Sequence, residues 1–549
     1  MIINKILILT SVNVCFLVNT LFSQQNPKNE LVTFNNLKVN LQSTFPQFMG
    51  SDGRSPGFFF PKDSSTATIF AQNFWMSAVS GSTQKELLTA GTFRGLSGAD
   101  WYCGPNIQDT LSDPQYFDKY DRIWLISKAM VDDHRANFSS PQYTMPEVIS
   151  NWPAKKTAGQ SDLIAPFVDV NTNNIYDPQN GDYPLIKGDK AVLILSNDKG
   201  VHTNSNSDQG LDAVIFVMYY AYENVSDLLD RTLFTWCGIK NTSAESWTDF
   251  RFGAWLDFDL GFPSDDYVGT NVNQNAIYVY NADGLDDTDT TFGQYGYGEN
   301  PPVQSFKLLD REIISSASYY TGNTHPGINR PTSAAHYSNF IQGKWKDGEE
   351  ILYGGIGRAD YFPDQYPYGT LSTEATARFV FPGNSDPTGR GTQGTDKYGE
   401  TEIWTEQTAG NATDDRKMLG VFEIQEVLPN DLVAFHSAHV TTLPSAQERL
   451  FEDLESDLLD VQNFFDNQST GLRELGNSNE VSLFPNPGTN RLHIAGQFLN
   501  LSILDQTGKT VITSGYTKSI DVSALDKGLY QVQVEHSNGK IYTQKWIKQ

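Results

Sequence analysis

The chain has 549 residues, enough for several domains with a sizeable buried core, so a small disulfide-stapled fold is excluded. Only 19% of the residues are charged while 12% are aromatic, a composition typical of many strands and turns that excludes a coiled coil and a disordered chain. The formal net charge of −26 repels phosphate backbones and anionic lipid surfaces, so nucleic acid is not an expected partner.

Residues 1–23 predict a secretory signal peptide. Lys5 supplies the positive start, residues 6–18 are mostly apolar, and Ser23 is the small residue expected before a cleavage site. An uncleaved membrane anchor is the alternative, but two asparagines interrupt the apolar run. The mature chain is therefore expected to begin near Gln24. No later stretch is apolar enough to span a bilayer, so no transmembrane segment is expected in the mature chain.

Residues 24–440 predict a mainly β body that could divide into two subdomains. Strand-like alternation is broken throughout by Gly, Asn, Asp and Pro. No fixed repeat of 20–50 residues is present, which argues against a propeller or a solenoid. The clearest predicted strands cover residues 190–195, 213–222, 232–239 and 276–280.

The strongest chemical signal is the polar loop at residues 169–184. A 12-residue calcium loop supplies side-chain oxygens at positions 1, 3, 5, 9 and 12 and a carbonyl at position 7, because Ca²⁺ prefers about six to eight hard oxygens. These places are filled by Asp169, Asn171, Asn173, the Ile175 carbonyl, Asp177 and Asn180. Asn174 stands at the sixth place, where a positive φ is expected and Asn is the most tolerant residue after Gly.

This loop departs from a tight calcium site in two ways. Asn180 lacks the bidentate carboxylate of such a site, so the affinity is expected to be weak unless Asp182 contributes. Pro178 prevents a regular exiting helix, which predicts a dockerin-like or thrombospondin-like loop. An Asx-rich surface turn without an ion is the alternative interpretation.

A second acidic cluster follows a predicted strand at residues 250–259. Period two places the phenylalanines on the core face, with Asp257 and Asp259 together on the opposite face. Asp265 and Asp266 follow, and the acidic loop at 280–289 could fold back on them. Three interpretations stay open: a second calcium site, a pair of catalytic carboxylates as in a glycosidase, or two solvated turns.

Familiar catalytic patterns are absent from the sequence, so no catalytic residue and no organic cofactor is assigned. His436 and His439 are three apart on a predicted strand and point to opposite faces, so they are not expected to share a metal ion. No His-Glu-x-x-His or Gly-x-Ser-x-Gly motif occurs. Cys103 and Cys237 could pair in an oxidising compartment if their Cα atoms came close enough.

The pattern changes near residue 441. Residues 445–466 predict an acidic helix with one apolar stripe facing the body and a capping box formed by Ser445 and Glu448. Residues 441–479 are thus helix and linker. The last 70 residues carry seven Lys or Arg against five Asp or Glu, and short alternating strands with turn signals between them predict a small antiparallel Ig-like β-sandwich at 480–549.

Four motifs in this tail occur in a fixed order. They are Phe-Pro-Asn-Pro at 484–487, Leu-Asp-Gln-Thr-Gly-Lys at 504–509, Asp-Val-Ser-Ala-Leu-Asp-Lys-Gly-Leu-Tyr at 521–530 and Lys-Trp-Ile-Lys at 545–548. With them the tail resembles the type A sorting domain of the type IX secretion system. The resemblance implies a Bacteroidota source, export across the outer membrane by the type IX machinery, and frequent removal of the tail, with the body released or attached to the surface.

The body also carries motifs that resemble a group of large secreted Bacteroidota proteins with the same tail. The group has no assigned activity. The motifs are Tyr-Asp-Arg-Ile-Trp at 120–124, Asn-Trp-Pro at 151–153, the loop at 169–184, Asp-Phe-Asp-Leu-Gly at 257–261, Asp-Asp-Tyr-Val-Gly at 265–269, Tyr-Gly-Tyr-Gly at 295–298 and Asp-Asp-Arg at 414–416.

The sequence therefore predicts a calcium-stabilised binding or structural protein on the cell surface or in the medium. Its expected partners are the type IX machinery and an extracellular glycan or other surface ligand. One alternative is an extracellular carbohydrate-active enzyme that uses a pair of carboxylates from among Asp257, Asp259, Asp265 and Asp266. The other alternative is an adhesin.

Overall fold

The chain forms two units, Met1–Thr441 and Thr442–Gln549. The computed structural model describes residues 27–93, 99–105, 119–156, 163–291, 293–320, 325–360, 372, 375–386, 403–471, 482–484, 491–495, 500–505, 509–515, 517, 519–535 and 541–548. The predicted signal peptide lies outside the described residues, as do most of the predicted linker and the Pro-Asn-Pro part of the first tail motif.

The described part of the first unit contains twenty-one strands in chain order. They are β1 (Asn29–Phe34), β2 (Leu37–Gln42), β3 (Phe58–Phe59), β4 (Ala67–Ser80), β5 (Glu86–Thr89), β6 (Tyr102–Cys103), β7 (Trp124–Ser127), β8 (Phe167–Val168), β9 (Tyr183–Pro184), β10 (Lys190–Asn197), β11 (Ala213–Ala221), β12 (Thr232–Asn241), β13 (Trp247–Phe258), β14 (Asp266–Asn271), β15 (Ala276–Asn281), β16 (Leu285–Asp286), β17 (Gly298–Glu299), β18 (Val303–Leu308), β19 (Ser315–Tyr320), β20 (Arg416–Val427) and β21 (Leu432–Thr442).

Helices of the described first unit are short and lie between the strands. They are α1 (Lys128–Asn137), α2 (Glu147–Ser150), α3 (Asp227–Asp230), α4 (Ala334–Ile341) and α5 (Glu406–Ala409), with 3-10 turns at Pro178–Asn180 and Pro263–Asp265. Ser127 caps α1, because its hydroxyl accepts a hydrogen bond from the backbone N–H of Met130. Among the residues that the structure describes, strands make up 41% and helices 14%, which confirms the predicted mainly β class.

Two large antiparallel sheets form the body. The first has the order β1-β2-β3-β4-β13-β20-β19, with β5 added beside β4. The second has the order β14-β15-β18-β21-β12-β11-β10-β6, with β7 also paired to β10. The predicted strands at 190–195, 213–222, 232–239 and 276–280 are β10, β11, β12 and β15, so the alternation in the sequence identified the centre of the second sheet correctly.

One hydrophobic core lies between the two sheets. The ring of Phe435 on β21 lies 4.7 Å from that of Phe252 on β13 and 5.0 Å from that of Phe422 on β20, measured between centroids. Residues of both sheets thus share one buried cluster. Aromatic pairs at these separations add to the stabilisation from the burial of apolar area.

Strand β13 shows how far period two predicts burial. The expected core residues Phe250, Phe252 and Phe258 are at most 1% exposed, as the alternation predicts. Trp255 on the opposite face is also fully buried, because it stacks on Trp75 and α4 packs over β4, β13 and β20. The second face of this strand is therefore covered by a helical layer that the alternation does not reveal.

Cys103 and Cys237 are both buried. Cys103 is on β6 and Cys237 is on β12, and the strands β10 and β11 separate them in the sheet. Three strand spacings amount to roughly 14 Å, about twice the Cα separation that a disulfide tolerates. The two cysteines do not pair.

The second unit begins with a long helix. After a 3-10 turn at Gln447–Arg449, α6 runs over Leu450–Gly471, and the stripe residues Leu450, Leu454, Leu458 and Val461 are buried. The predicted capping box is wrong. Ala446 is the N-cap of the turn and no side chain caps it, while the Ser445 hydroxyl donates to the Asp453 carboxylate (2.6 Å) and accepts from the Nε of Arg449 (3.2 Å).

The tail is a small two-sheet sandwich, as the alternation predicts. Its described strands are β22 (Ser482–Phe484), β23 (Arg491–Ala495), β24 (Asn500–Leu504), β25 (Thr510–Gly515), β26 (Ser519–Asp521), β27 (Gly528–Glu535) and β28 (Ile541–Lys548). They form sheets with the orders β22-β23-β26 and β25-β24-β27-β28. Leu492, Ile503, Val532 and Trp546 come from both sheets and pack in one core.

Candidate metal centres

The predicted calcium loop closes a short hairpin. Strands β8 and β9 pair antiparallel, and the intervening chain forms the loop. Tyr176 anchors it, since its ring packs edge-on against Phe167 and its hydroxyl donates to the carbonyl of Ile149 (2.7 Å). His134 on α1 holds the far end through its Nε2, which lies 2.9 Å from the carbonyl oxygen of Asp182.

In the first half of the loop, side-chain oxygens accept hydrogen bonds from the backbone of the loop itself. The Asp169 carboxylate accepts from the backbone N–H groups of Asn173 (3.2 Å) and Asn174 (2.6 Å), and Asn173 Oδ1 accepts from that of Ile175 (2.8 Å). Asn174 has a φ of 59°, which confirms the positive φ predicted at the sixth place. Thr172 has a φ of 60°, unexpected for a β-branched residue.

Three asparagine side chains converge on the carboxylate of Asp177. The Nδ2 groups of Asn171, Asn173 and Asn180 each donate to it at 3.0 Å. These bonds, with that from Asn180 the most effective, lower the pKa of Asp177. Three amide N–H groups thus direct their partial positive charges at the carboxylate of Asp177. A cation would interact favourably with the same carboxylate.

Asp182 closes the base of the loop. It is fully buried, and its two oxygens accept from the backbone N–H groups of Val170 (2.8 Å) and Asp177 (2.9 Å). Burial raises the pKa of Asp182. Its carboxylate therefore ties residues at the two ends of the loop together.

The donor set of this loop fits a hard cation. Asp169, Asn171, Asn173, Asp177 and the Ile175 carbonyl supply oxygen ligands from a stretch of nine residues, with no sulfur or imidazole among them. A half-turn of an asparagine amide exchanges its nitrogen for its oxygen. The amides that now donate to Asp177 can in this way present oxygens to an ion.

The second predicted group, Asp257 and Asp259, lies beside a buried lysine. Carboxylate oxygens of Asp257, Asp259 and Asp415 lie within 4.8 Å of one another. Lys417, paired with Asp257 across β13 and β20, is 3% exposed and places its Nζ 2.7 Å from Asp257 Oδ1, and it also pairs with Asp415. The protein's own ammonium group already supplies a cation to this cluster.

The pKa values of the cluster reflect both burial and charge. Burial raises the pKa of Asp257 to about 7 against the opposing effect of Lys417, and burial with the neighbouring Asp257 raises that of Asp259 well above its ordinary value. Burial alone lowers the pKa of Lys417, but the carboxylates around it raise that pKa overall.

Asp265 and Asp266 lie near a third carboxylate, Asp286, which adds to the effect of burial in raising the pKa of Asp266. Asp266 Oδ2 accepts from the backbone N–H of Leu260 (3.1 Å), and Asp265 Oδ2 from that of Asp287 (2.9 Å). Asp286 accepts from the backbone N–H groups of Phe262 (2.9 Å) and Tyr297 (2.6 Å). The acidic loop at 280–289 does fold back on the chain after β13, as the sequence suggested.

Sequence reasoning missed the partners that distinguish the two acidic clusters. Lys417 follows Asp257 by 160 positions, and only the pairing of β13 with β20 brings them together. The Asp-Asp-Arg motif at 414–416 was a sequence signal for these partners, because it showed a group of charged residues at the start of β20. His436 and His439 face apart as predicted: His436 pairs with Asp310, while His439 is buried among core aromatic rings.

Comparison with known proteins identifies the tail. A family model described as a secretion system C-terminal sorting domain matches residues 482–549, which confirms the predicted sorting domain and implies a Bacteroidota source. The protein is thus secreted or displayed on the cell surface, and its tail interacts with the type IX secretion system. Within the described chain, no helix is long and apolar enough to cross a membrane.

The comparisons say little about the body. No curated protein matches the chain. Among solved structures, a polysaccharide lyase matches with a TM-score of 0.21 and 8% sequence identity. The match covers 70% of this chain and 38% of the lyase chain. A similarity this weak indicates neither a shared fold nor a shared activity. The resemblance of the body to other large secreted proteins with this tail stays a prediction.

Proposed function

We propose that this protein is exported by the type IX system after removal of its signal peptide, and that its Ca²⁺-stabilised β-sandwich body binds a surface ligand outside the cell. The secreted or surface location follows from the sorting domain. The bound ion and the ligand-binding role are our proposal.

The loop at 169–182 carries the calcium part of this proposal. Asp169, Asn171, Asn173, Asp177 and the Ile175 carbonyl would hold the ion, and water would complete its shell of about six to eight oxygens. Bound Ca²⁺ would neutralise Asp169 and Asp177 and fix the loop. Asp182 would not bind the ion but would hold the loop in position, because its carboxylate accepts hydrogen bonds from the backbone N–H groups of Val170 and Asp177.

The expected affinity suits an extracellular setting. The loop offers two carboxylates as ligands and no bidentate glutamate, so its dissociation constant is expected to be about 10⁻⁴–10⁻³ M, in the range of extracellular modules. Since the ion binds the folded loop, calcium at about 100 times the dissociation constant would stabilise the body by about 2.7 kcal/mol.

The burial of Asp257 and its ion pair with Lys417 favour a binding role over catalysis. Asp257 is 3% exposed and forms an ion pair with Lys417. A glycosidase needs its two carboxyl groups on either side of a sugar, at least about 5 Å apart and open to water. This geometry favours a structural role for Asp257 and Asp259. An adhesin would use the same exported body and differ only in its partner.

The calcium proposal is tested by titration of the purified protein. Wild type and Asp169→Asn are compared by isothermal titration with CaCl₂ and by thermal unfolding in CaCl₂ or EDTA. We expect Asp169→Asn to bind one ion fewer than wild type and to lose part of the calcium-dependent rise in Tm, because it removes a ligand charge. The matched control is Asp208→Asn, which changes an exposed carboxylate outside the loop.

The stoichiometry decides the outcome. If Asp169→Asn binds as many ions as wild type, with the same rise in Tm, then the loop does not bind calcium. MgCl₂ is expected to substitute poorly, because Mg²⁺ demands a rigid octahedral shell that this flexible loop does not offer.

A further inference from the structure

Lys417 and Asp257 are held against each other on neighbouring inner strands of the first sheet. They lie directly opposite on β20 and β13, which run between β4 and β19. Each is 3% exposed, and Lys417 Nζ lies 2.7 Å from Asp257 Oδ1. Because a carboxyl C–O bond is about 1.2 Å long, Nζ lies within about 4 Å of the carboxyl carbon Cγ. This is close to the separation of about 3–3.5 Å at which reacting groups are positioned for attack.

The contact is short, but it does not have the angles of a hydrogen bond. Asp257 Oδ1 is buried, and among the described residues no hydrogen-bond donor is directed at it. The oxygen has lost its hydration and gained only the charge of the neighbouring ammonium group. An amide bond between the two side chains would remove both of these buried charges.

Buried side chains separate this contact from water. Tyr319 on β19 lies opposite Lys417 and is 4% exposed, and its hydroxyl accepts a hydrogen bond from Nε1 of Trp255 (3.0 Å). On the other side, Ala71 on β4 lies opposite Asp257 and is fully buried. Exclusion of water from a site suppresses hydrolysis there. Condensation of the pair is therefore favoured over the reverse reaction.

We propose that Lys417 and Asp257 condense to an isopeptide bond, which joins β20 to β13 covalently. The Nζ atom bonds to Cγ of Asp257, and the bond from Cγ to one carboxyl oxygen breaks. The ammonium group gives up two protons, and that oxygen leaves with them as water. The ion pair and its products are both neutral overall, so the step needs no oxidant and no cofactor. The ion pair is the reactant, so Lys417 compensates the charge of the cluster before the bond forms.

Two neighbouring carboxyl groups can carry the protons in this step. Asp415 pairs with Lys417 and is half-buried, so its carboxylate can accept a proton from the ammonium group. Oxygens of Asp259, Asp257 and Asp415 lie within 4.8 Å of one another. Burial raises the pKa of Asp259 well above its ordinary value, so this carboxyl holds a proton that it can donate to the departing oxygen.

The bond would give the body a covalent cross-link, which its two buried cysteines do not supply. It joins residues that are 160 positions apart in the chain. A cross-link over so long a segment restricts the unfolded chain strongly, as a disulfide does. Its place on inner strands means that it fixes the register of β13 against β20.

Intact-mass spectrometry of the purified and denatured protein tests the proposal. We expect wild type to be lighter than its sequence mass by one water molecule, and Lys417→Arg to have its full sequence mass. Arginine keeps the positive charge in the cluster, but its guanidinium group stays protonated and does not form the amide. The matched control is Lys344→Met, which removes a surface lysine paired with Glu350 and is expected to lose one water as wild type does.

Tryptic digestion locates the bond. Trypsin does not cleave after a lysine whose Nζ is part of an amide, so wild type is expected to yield residues 252–307 joined to residues 417–449. Asp259→Asn keeps both bonding residues but removes the proton donor. This variant is expected to contain less of the joined peptide than wild type.

Two results would overturn the cross-link. One is a wild-type protein with its full sequence mass and separate tryptic peptides, which would mean that Lys417 and Asp257 form an ion pair only. The other is a loss of one water that persists in Lys417→Arg, which would place the modification elsewhere. An Asp259→Asn variant with as much joined peptide as wild type would overturn the role given to Asp259.

Discussion

The imidazole of His439 is buried on the core face of β21. Its ring centroid lies 5.1 Å from that of Phe48, 5.7 Å from that of Phe58 and 5.3 Å from that of Phe306. Burial lowers the pKa of His439 from 6.5 to about 3. The histidine is neutral in the folded protein at neutral pH, and aromatic contacts rather than chemistry account for its place in the core.

This burial predicts a loss of stability in acid. As the pH falls from 6.5 towards 3, the unfolded chain binds a proton at His439 that the folded chain excludes, so the free energy of unfolding decreases. His439→Leu is expected to make this decrease shallower. The free energy of unfolding in urea is measured between about pH 4 and pH 7, with His436→Gln as the control. Parallel curves for wild type and His439→Leu would contradict the prediction.

Lys417 compensates the charge of a buried carboxylate cluster. Lys417→Met keeps a long side chain but removes the ammonium group, leaving Asp257, Asp259 and Asp415 with no cation between them. Breaking a buried ion pair from one side costs about 3–5 kcal/mol, so the free energy of unfolding near neutral pH is expected to fall by about this amount. Urea unfolding measures it.

A surface lysine gives the matched control for this substitution. Lys344 pairs with Glu350, and its side chain is 33% exposed. Lys344→Met is expected to change the free energy of unfolding by less than about 1 kcal/mol. Equal effects of Lys417→Met and Lys344→Met would show that the buried cluster does not need its lysine.

At the scale of elements, the alternation of apolar and polar residues predicted the strands. The pairing of strands that are distant in the sequence determined which charged residues meet. Alternation located β10, β11, β12 and β15 and assigned the core face of β13, because period two is a property of each segment alone. The burial of Trp255 depends on α4, some 80 residues later, so no local pattern carries it. The position of Lys417 opposite Asp257 likewise depends on a strand far along the chain, so no local pattern predicts it.

The two candidate metal centres differ in how far sequence could predict them. The hairpin loop is contiguous, so its ligand spacing and the positive φ at Asn174 were both visible in the sequence. The second acidic group brings together residues that are far apart in the sequence, since Asp415 and Lys417 come from the start of β20 and Asp257 from the end of β13. The sequence grouped Asp265 and Asp266 with Asp257 and Asp259 as candidate ligands, which stays a prediction, and it did not predict that Lys417 pairs with Asp257.

At the scale of the whole molecule, the sorting tail and the body each have a hydrophobic core of their own. The tail has its own core of residues such as Leu492 and Trp546, and the body has its own core between two sheets. The net charge of the tail is weakly positive, whereas the chain as a whole carries −26. A domain with its own core folds by itself, so the tail can be recognised and removed without unfolding the body.

Deleting residues 480–549 is expected to stop export and leave the body intact. The truncated chain should accumulate in the periplasm, because it keeps the proposed signal peptide but lacks the sorting domain that the type IX machinery recognises. Immunoblots of medium, surface and periplasmic fractions measure this, and the purified body should keep its calcium-dependent Tm. The reciprocal control fuses residues 472–549 to a periplasmic fluorescent protein, which should then appear outside the cell. A truncated chain that still reaches the medium, or a fusion that stays inside, would mean that this domain is not the export signal.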